Sequence, residues 1–169
     1  AMAEKAMELI GENIRRFVAN RTDVEAAEAM MVGSLFAGIA FSFARLGNVH
    51  AMSHPVSAFF DVPHGVANAV LLPVVAEYNA LADHGRYYKI YNYISAIPAY
   101  EDEFEPMMLV DAIRSLCKAI GIPANLTEAI NRAGKTGSIS RETIEEKIEA
   151  MPADAMKSGN IAVNPRSSR

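Results

Sequence analysis

Gly47-Asn-Val-His50-Ala-Met-Ser-His54-Pro55 leads, after five further residues, into Asp61-Val-Pro63-His64-Gly65-Val-Ala-Asn68. Glycine commonly follows the end of a helix, and proline is tolerated where a helix begins. The stretch therefore predicts a short helix that carries His50 and His54 and ends at Pro55 or slightly later. A second helix should begin near His64. Three of the four histidines in the chain thus flank one helix break.

The segments on either side also show apolar residues at helical spacing. Thr22-Asp-Val-Glu25 has the form of a capping box, and it should start a helix that runs to about Leu46. No alternation of period two persists, so no strand is predicted. We expect an all-α, multi-helix bundle, with one domain over residues 1–156 and a polar loop or tail over 157–169. The predicted helices cover residues 3–18, 22–46, 65–79, 87–94, 109–120, 126–133 and 141–150.

The most apolar run covers residues 29–44, which is shorter than the roughly 20 residues that a membrane-spanning helix needs. Gly33, Ser34, Gly38 and Ser42 interrupt it. We interpret this run as a central helix buried on most sides, and we expect no membrane partner.

Composition narrows the class of protein. The 169 residues include 16 Lys+Arg and 20 Asp+Glu, for a formal net charge of −4, and the chain has no dense basic run. This balance argues against nucleic acid as the main partner. The single cysteine, Cys117, cannot form an internal disulfide, and no signal peptide is evident. We therefore expect a cytoplasmic protein of one domain.

The histidines are the residues that could carry chemistry. His50 and His54 stand four apart, on one face of a helix, and His64 lies across the break. Neutral imidazoles gathered in this way commonly hold a divalent transition metal. The alternative is that they are packed residues bonded to carbonyls. A zinc protease is excluded because Ala51 stands where the catalytic glutamate would follow the first histidine.

Other candidates have simpler interpretations. Asp61 could be a metal ligand, but a helix-capping role is the better prediction. His84 lies in a turn signal and should be solvated, while Cys117 should be a buried small hydrophobe rather than a nucleophile. Gly134-Lys-Thr136 looks like the end of a phosphate-binding loop, but Ala129 stands where the first glycine of such a loop should be. We therefore reject this match.

The quoted stretch closely resembles the iron-containing alcohol dehydrogenases. The similarity extends to Ala37-Gly-Ile-Ala-Phe41 before it and to Leu71-Leu-Pro73, Tyr78-Asn79 and Asn164-Pro-Arg166 after it. Residues 5–10 and 23–30 also look like this family's helical domain. The resemblance implies the C-terminal, metal-binding helical domain of a dehydroquinate synthase-like fold, in an enzyme that interconverts small alcohols and aldehydes or ketones with NAD or NADP.

The resemblance also implies roles for individual residues. The family holds Fe(II), or zinc in some members, with one Asp and three His. His50 and His64 match two of those histidines. His54 matches a further histidine that lies near the metal without binding it and is suspected of moving a proton. No cofactor-binding residue for the nucleotide is expected here, because the family binds NAD(P) mainly with an N-terminal domain.

The chain departs from the family's pattern in several places. No Asp-x-x-x-His motif supplies the other two ligands, and the chain stops soon after Arg166. We therefore expect a fragment cut at both ends, inactive alone and weak in metal binding. Phe43, Ser57 and Val74 replace a frequent Asn, Gly and His, and the first two put the shape of the substrate pocket in question.

Two other hypotheses stay open at this point. The chain could be a stand-alone helical scaffold or partner-binding module with structural histidines. It could also be an independent metal sensor that uses all three. Homo-oligomerisation is possible in each case.

Overall fold

The computed structural model describes residues 1–134 and 140–168, and those residues form an all-α bundle without a β-strand, which confirms the predicted fold class. Lys135 and Thr136, which were part of the rejected phosphate-loop match, lie outside the described residues. Short 3-10 helices at Glu101–Glu103 and Ile161–Val163 supplement the α-helices. The α-helices are α1 (Met2–Ala19), α2 (Val24–Ala44), α3 (Asn48–Phe60), α4 (His64–Ala80), α5 (Arg86–Ile94), α6 (Pro106–Ala119), α7 (Leu126–Ala133) and α8 (Arg141–Met156).

Helix α4 is the element that joins the two parts of the hydrophobic core. It packs against α3, α6 and α7. Near its start, buried Ala67 belongs to a cluster with side chains of α3, α7 and α8. Near its end, Ala76 belongs to a second cluster with Leu109, Val110 and Ile113 of α6, against which α5 also packs. Small residues on α4 therefore let neighbouring helices approach it from several sides.

Helix α3 is longer than predicted, since it continues through Pro55 to Phe60. Proline within a helix removes one backbone donor and costs about 3 kcal/mol or more. The helix continues because the residues beyond Pro55 are core residues: Val56 is 2% exposed and Phe60 is 4% exposed. Burial of these two side chains in the α3–α4–α7–α8 cluster offsets the local cost. The sequence predicted an end at Pro55 or slightly later, whereas the helix ends five residues beyond Pro55.

The turn between α3 and α4 is formed by Asp61, Val62 and Pro63. Asp61 is the C-cap residue of α3 and has a left-handed backbone, with φ 57°. Asp and Asn adopt this conformation more readily than most residues. Pro63 then precedes α4 with φ −52°. Asp61 thus has a capping position, but at the end of α3 rather than at the start of α4, and the turn aims His64 back towards α3.

The start of α2 also differs from the prediction. Asp23, not Thr22, is the N-cap residue, and its carboxylate accepts a hydrogen bond from the amide of Ala26. Thr22 instead donates its hydroxyl to the side chain of Asn20. Either residue type can cap a helix, so the sequence identified the start to within one residue. The helix ends at Ala44, two residues before the predicted end.

Helix α2 was predicted to be buried on most sides, and this is wrong. Only Ala26 and Gly33 are buried. Leu35 is 60% exposed and Phe43 is 87% exposed. Hydrophobic composition does not specify what covers a helix, and in this structure α2 packs chiefly against α1. By length and composition α2 is the one helix of the described residues that could cross a membrane, a test that core helices also pass.

Gly11 of α1 provides a test of the helix packing. A Cβ added at Gly11 would lie 2.4 Å from the carbonyl oxygen of Tyr93, which is a backbone atom and cannot move aside cheaply. We expect Gly11→Ala to lower the free energy of unfolding by about 1–3 kcal/mol. Gly38 of α2 is the matched control because a Cβ there would meet nothing within 4 Å.

At Gly38 the better helix propensity of alanine should raise the free energy of unfolding by about 0.5–1 kcal/mol. Urea denaturation of the two variants, followed by circular dichroism, measures both values. Equal effects of the two substitutions would contradict the close approach of α1 and α5.

Candidate metal centre

Helices α3 and α4 bring the three clustered histidines together. The ring centroids of His50 and His64 are 5.2 Å apart, and those of His54 and His64 are 5.3 Å apart. His50 and His54, one helical turn apart on α3, are separated by 6.4 Å. Because α3 and α4 meet at the turn after Phe60, residues from both sides of the predicted helix break face one another.

The separation of His50 and His64 suits two ligands of one ion. At metal–nitrogen distances of about 2.0–2.1 Å and a tetrahedral angle, two imidazoles that share an ion have ring centroids about 5 Å apart. The observed 5.2 Å matches this value, and the two ring planes are inclined at 60°. These two residues could therefore hold a divalent metal with little rearrangement.

His54 has a different relation to the pair. Its ring is stacked on that of His64 with an interplanar angle of 24°. The 5.3 Å separation of these two rings is close to that of the His50–His64 pair, so the distance alone does not distinguish the pairs. His54 and His64 are both exposed, whereas His50 is partly buried. The ring of His54 is the one further from His50, at 6.4 Å, and it is open to solvent or to a ligand.

The surroundings of His50 favour its neutral form. Burial lowers the pKa of His50 below its usual value, and the neighbouring imidazoles of His64 and His54 lower it further. A neutral imidazole offers the lone pair that a metal needs, while a protonated one does not. The surroundings of His50 therefore favour the form that can act as a ligand at neutral pH.

Two polar side chains that the sequence analysis did not single out support the histidines. Nδ2 of Asn68 lies 3.2 Å from Nε2 of His50, and Oδ1 of Asn68 is buried without a partner among the described residues. The fully buried hydroxyl of Ser53 donates to the carbonyl oxygen of His50 and lies 3.5 Å from Nδ1 of His64. Ser53 follows His50 by three residues and Asn68 follows His64 by four, so helical spacing could have identified both.

The described residues do not by themselves form a complete metal site. Within residues 1–134 and 140–168, no group of three or more His, Cys, Asp or Glu side chains has the arrangement of a complete site. The partnerless Oδ1 of Asn68 and the 5.2 Å separation of the two imidazoles are compatible with a site that is completed by ligands from elsewhere. Weak affinity for a metal is the expected property of such a half-site.

Of two other residues, His84 has the position predicted for it, whereas Cys117 is less buried than predicted. His84 is exposed in the turn between α4 and α5. Cys117 is partly buried on α6, and its thiol contacts the carbonyl oxygen of Ala69 at 3.8 Å. Burial raises the pKa of Cys117, which keeps the thiol protonated. Neither residue belongs to the histidine cluster.

Ser53 and Ser57, one helical turn apart on α3, form a natural pair for mutation. The Ser53 hydroxyl is hydrogen-bonded, whereas Oγ of Ser57 is buried and has no partner among the described residues. We expect Ser53→Ala to lower the free energy of unfolding by about 0.5–1.5 kcal/mol, and Ser57→Ala to be neutral or stabilising. Chemical denaturation of the metal-free protein measures both. A larger loss for Ser57→Ala would contradict this description of α3.

Comparison with known proteins shows the family to which this arrangement belongs. The model of the Fe-containing alcohol dehydrogenase family, C-terminal, matches residues 1–169. The 1,3-propanediol dehydrogenase of Citrobacter freundii is 37% identical over 98% of this chain, and the lactaldehyde reductase of Escherichia coli K12 is 35% identical over 95%. The chain spans 40% of the length of each of these relatives.

Solved structures agree with the sequence comparison. A crystal structure of 1,3-propanediol oxidoreductase superposes with a TM-score of 0.83 and 37% identity, covering 100% of this chain and 41% of that one. An alcohol dehydrogenase from Oenococcus oeni gives a TM-score of 0.82 and 31% identity, covering 98% of this chain and 40% of that one. The chain belongs to the Fe-containing alcohol dehydrogenase family and corresponds to its C-terminal helical domain.

Proposed function

We propose that this chain is the metal-binding helical part of an NAD(P)-dependent alcohol dehydrogenase, which interconverts primary or secondary alcohols with aldehydes or ketones by hydride transfer. Family membership and relatives that are named 1,3-propanediol dehydrogenase and lactaldehyde reductase support the reaction class. The observation that carries the proposal for this chain is the 5.2 Å separation of the His50 and His64 rings.

His50 and His64 are the residues that would hold the metal, with Fe(II), or zinc, as the ion. When bound, the metal supplies Lewis acidity towards the oxygen of the alcohol or aldehyde. Burial favours the neutral form of His50 by lowering its pKa. Nδ2 of Asn68 lies 3.2 Å from Nε2 of His50, so a metal bound at that nitrogen would displace the amide. Ser53 lies against Nδ1 of His64. Helices α3 and α4 set the positions of the two ligands.

His54 is the residue that we assign to proton transfer. It is exposed, and its ring lies 5.3 Å from that of His64. Imidazole is the side chain that most often serves as a general acid or base. In this position His54 would take the alcohol proton and pass it to solvent.

The cofactor and the partners complete the proposal. Hydride chemistry belongs to NAD or NADP, which we expect to be bound mainly by an N-terminal domain outside this chain. Small alcohols and aldehydes are the proposed substrates, and we expect a cytoplasmic protein. The exposed apolar side chains of α2 make a homo-oligomer possible.

The scaffold hypothesis requires packed histidines that face away from any cleft and bond to backbone carbonyls. His50 and His64 instead face each other, and their ring nitrogens lie near the side chains of Asn68 and Ser53. This arrangement supports metal binding over a purely structural role.

A zinc titration of the metal-stripped chain, followed by the NMR signals of the imidazoles, tests the ligand assignment. We expect weak binding, with His50→Ala and His64→Ala each raising the Kd at least about tenfold, or about 1.4 kcal/mol. His54→Ala should change the Kd less than about twofold. An equal loss in all three variants would instead indicate a three-histidine sensor, and no binding in the wild type would favour the scaffold.

A chimera tests the reaction. In it, this chain replaces the matching segment of the Citrobacter freundii 1,3-propanediol dehydrogenase, and NAD reduction with 1,3-propanediol is measured. We expect activity, and we expect His54→Gln to lower kcat by about 10²–10⁴-fold at unchanged metal content, as for the loss of a general acid–base group. His84→Gln, in an exposed turn, is the control. Full activity of the His54 variant would contradict its assigned role.

A further inference from the structure

We propose that the Asn164-Pro165-Arg166 segment is a clamp that positions the start of α3, and with it His50, against α4. The segment acts through the side chains of Asn164 and Arg166, which contact Asn79 and Tyr78 of α4. We call these four side chains together the tail clamp. None of them contacts an imidazole, so these are positioning residues. The consequence for metal binding rests on the proposed function above, whereas the geometry of the clamp does not.

The first part of the tail clamp is a helix cap supplied from a distance. Gly47 is the N-cap residue of α3 and has no side chain to bond the free amides of the first turn. Oδ1 of Asn164 accepts a hydrogen bond of 3.2 Å from the amide of Asn48. A cap is usually supplied by the residue next to the helix, but here it lies 116 residues further along the chain.

Glycine at position 47 is what permits this approach. A Cβ at Gly47 would lie 3.0 Å from Oδ1 of Asn164, which is tighter than most Cβ contacts. Any larger side chain would press on the capping atom. The Gly47 position and the Asn164 cap therefore depend on one another.

The second part of the tail clamp holds the end of α4. Asn164 and Asn79 exchange a pair of amide hydrogen bonds, with Nδ2 of Asn164 donating at 2.7 Å and Nδ2 of Asn79 donating at 3.2 Å. Arg166 donates to the carbonyl oxygen of Tyr78 at 2.9 Å, and its guanidinium lies 4.1 Å from the centre of the Tyr78 ring. The Tyr78 hydroxyl donates to the carbonyl oxygen of Ser167.

One side chain, Asn164, therefore bonds both helices that carry the histidines. It bonds to Asn48 in the first turn of α3, two residues before His50. It also bonds to Asn79 in the last turn of α4, the helix that has His64 as its first residue. A cation beside the last carbonyls of a helix is also favoured by the helix dipole, and Arg166 occupies that position on α4. The clamp fixes one end of the α3–α4 pair, while the turn at Asp61 fixes the other.

The test uses three variants of this chain. Asn164→Ala removes the cap and the amide pair. Asn164→Asp keeps an oxygen that can accept the hydrogen bond from the amide of Asn48. It has no NH2 group to donate to Oδ1 of Asn79 or to the backbone carbonyl oxygen of Arg166. Asn160→Ala is the matched control, since Asn160 lies in the same tail and its Oδ1 contacts the amide of Leu46, before α3, at 3.4 Å.

Two measurements need no metal: hydrogen exchange at the amide of Asn48, and nuclear Overhauser contacts between the rings of His50 and His64. We expect Asn164→Ala to speed exchange at least about tenfold and to weaken the ring contacts, while Asn164→Asp restores slow exchange and Asn160→Ala leaves both unchanged. Slow exchange and intact ring contacts in Asn164→Ala would overturn the proposal. If the alanine variant does not fold, fast exchange at Asn48 in a folded Asn164→Asp would overturn it.

Zinc binding supplies a third readout. We expect Asn164→Ala to raise the Kd about fivefold or more and Asn164→Asp to restore most of the affinity. An unchanged Kd in Asn164→Ala would overturn the clamp's effect on the ligands. A wild-type chain that binds no zinc contradicts the proposed function alone, because the exchange rates and ring contacts still decide the clamp.

Discussion

The packing of α3 on α4 is the constraint on which the rest of the structure depends. Val56 and Phe60 of α3 share one buried cluster with Ala67 of α4, and α7 and α8 close that cluster from the other side. Burial of apolar side chains of this size contributes about 1.5–3 kcal/mol each. That contribution carries α3 past Pro55 to the turn at Asp61, and the turn brings His64 back to the ring of His50. The close approach of the two imidazoles is thus a consequence of core packing on the opposite side of the same helices.

Much of the fold could be predicted because it depends on local patterns. Helical spacing predicted the helices of an all-α bundle, and proline and glycine marked the start of α4 and the end of α6. Local rules failed where distant contacts decide the outcome. Pro55 would end a helix that had nothing to bury beyond it, but Val56 and Phe60 are core residues. The apolar sequence of α2 indicated burial, yet burial also requires neighbours, and those are set by the topology.

Only part of the candidate site could be predicted from the sequence. Spacing alone grouped His50, His54 and His64, and the family resemblance assigned metal binding to the first and third. The separations and relative orientations of the three rings could not be predicted from spacing, because they depend on the angle between α3 and α4. Helical spacing from His50 and His64 could have identified Ser53 and Asn68 as their neighbours. The contact from Asn164 to Asn48 could not have been predicted in this way, because it joins residues 116 positions apart.

The central claim is that His50 and His64 share one ion while His54 stays outside its coordination. Anomalous diffraction from crystals of this chain grown with zinc tests it most directly, since it locates the metal independently of any activity. We predict one anomalous peak about 2.0–2.1 Å from a ring nitrogen of both His50 and His64, with His54 further away. Separate peaks on the two rings, or one peak on His54 without His50, would contradict it.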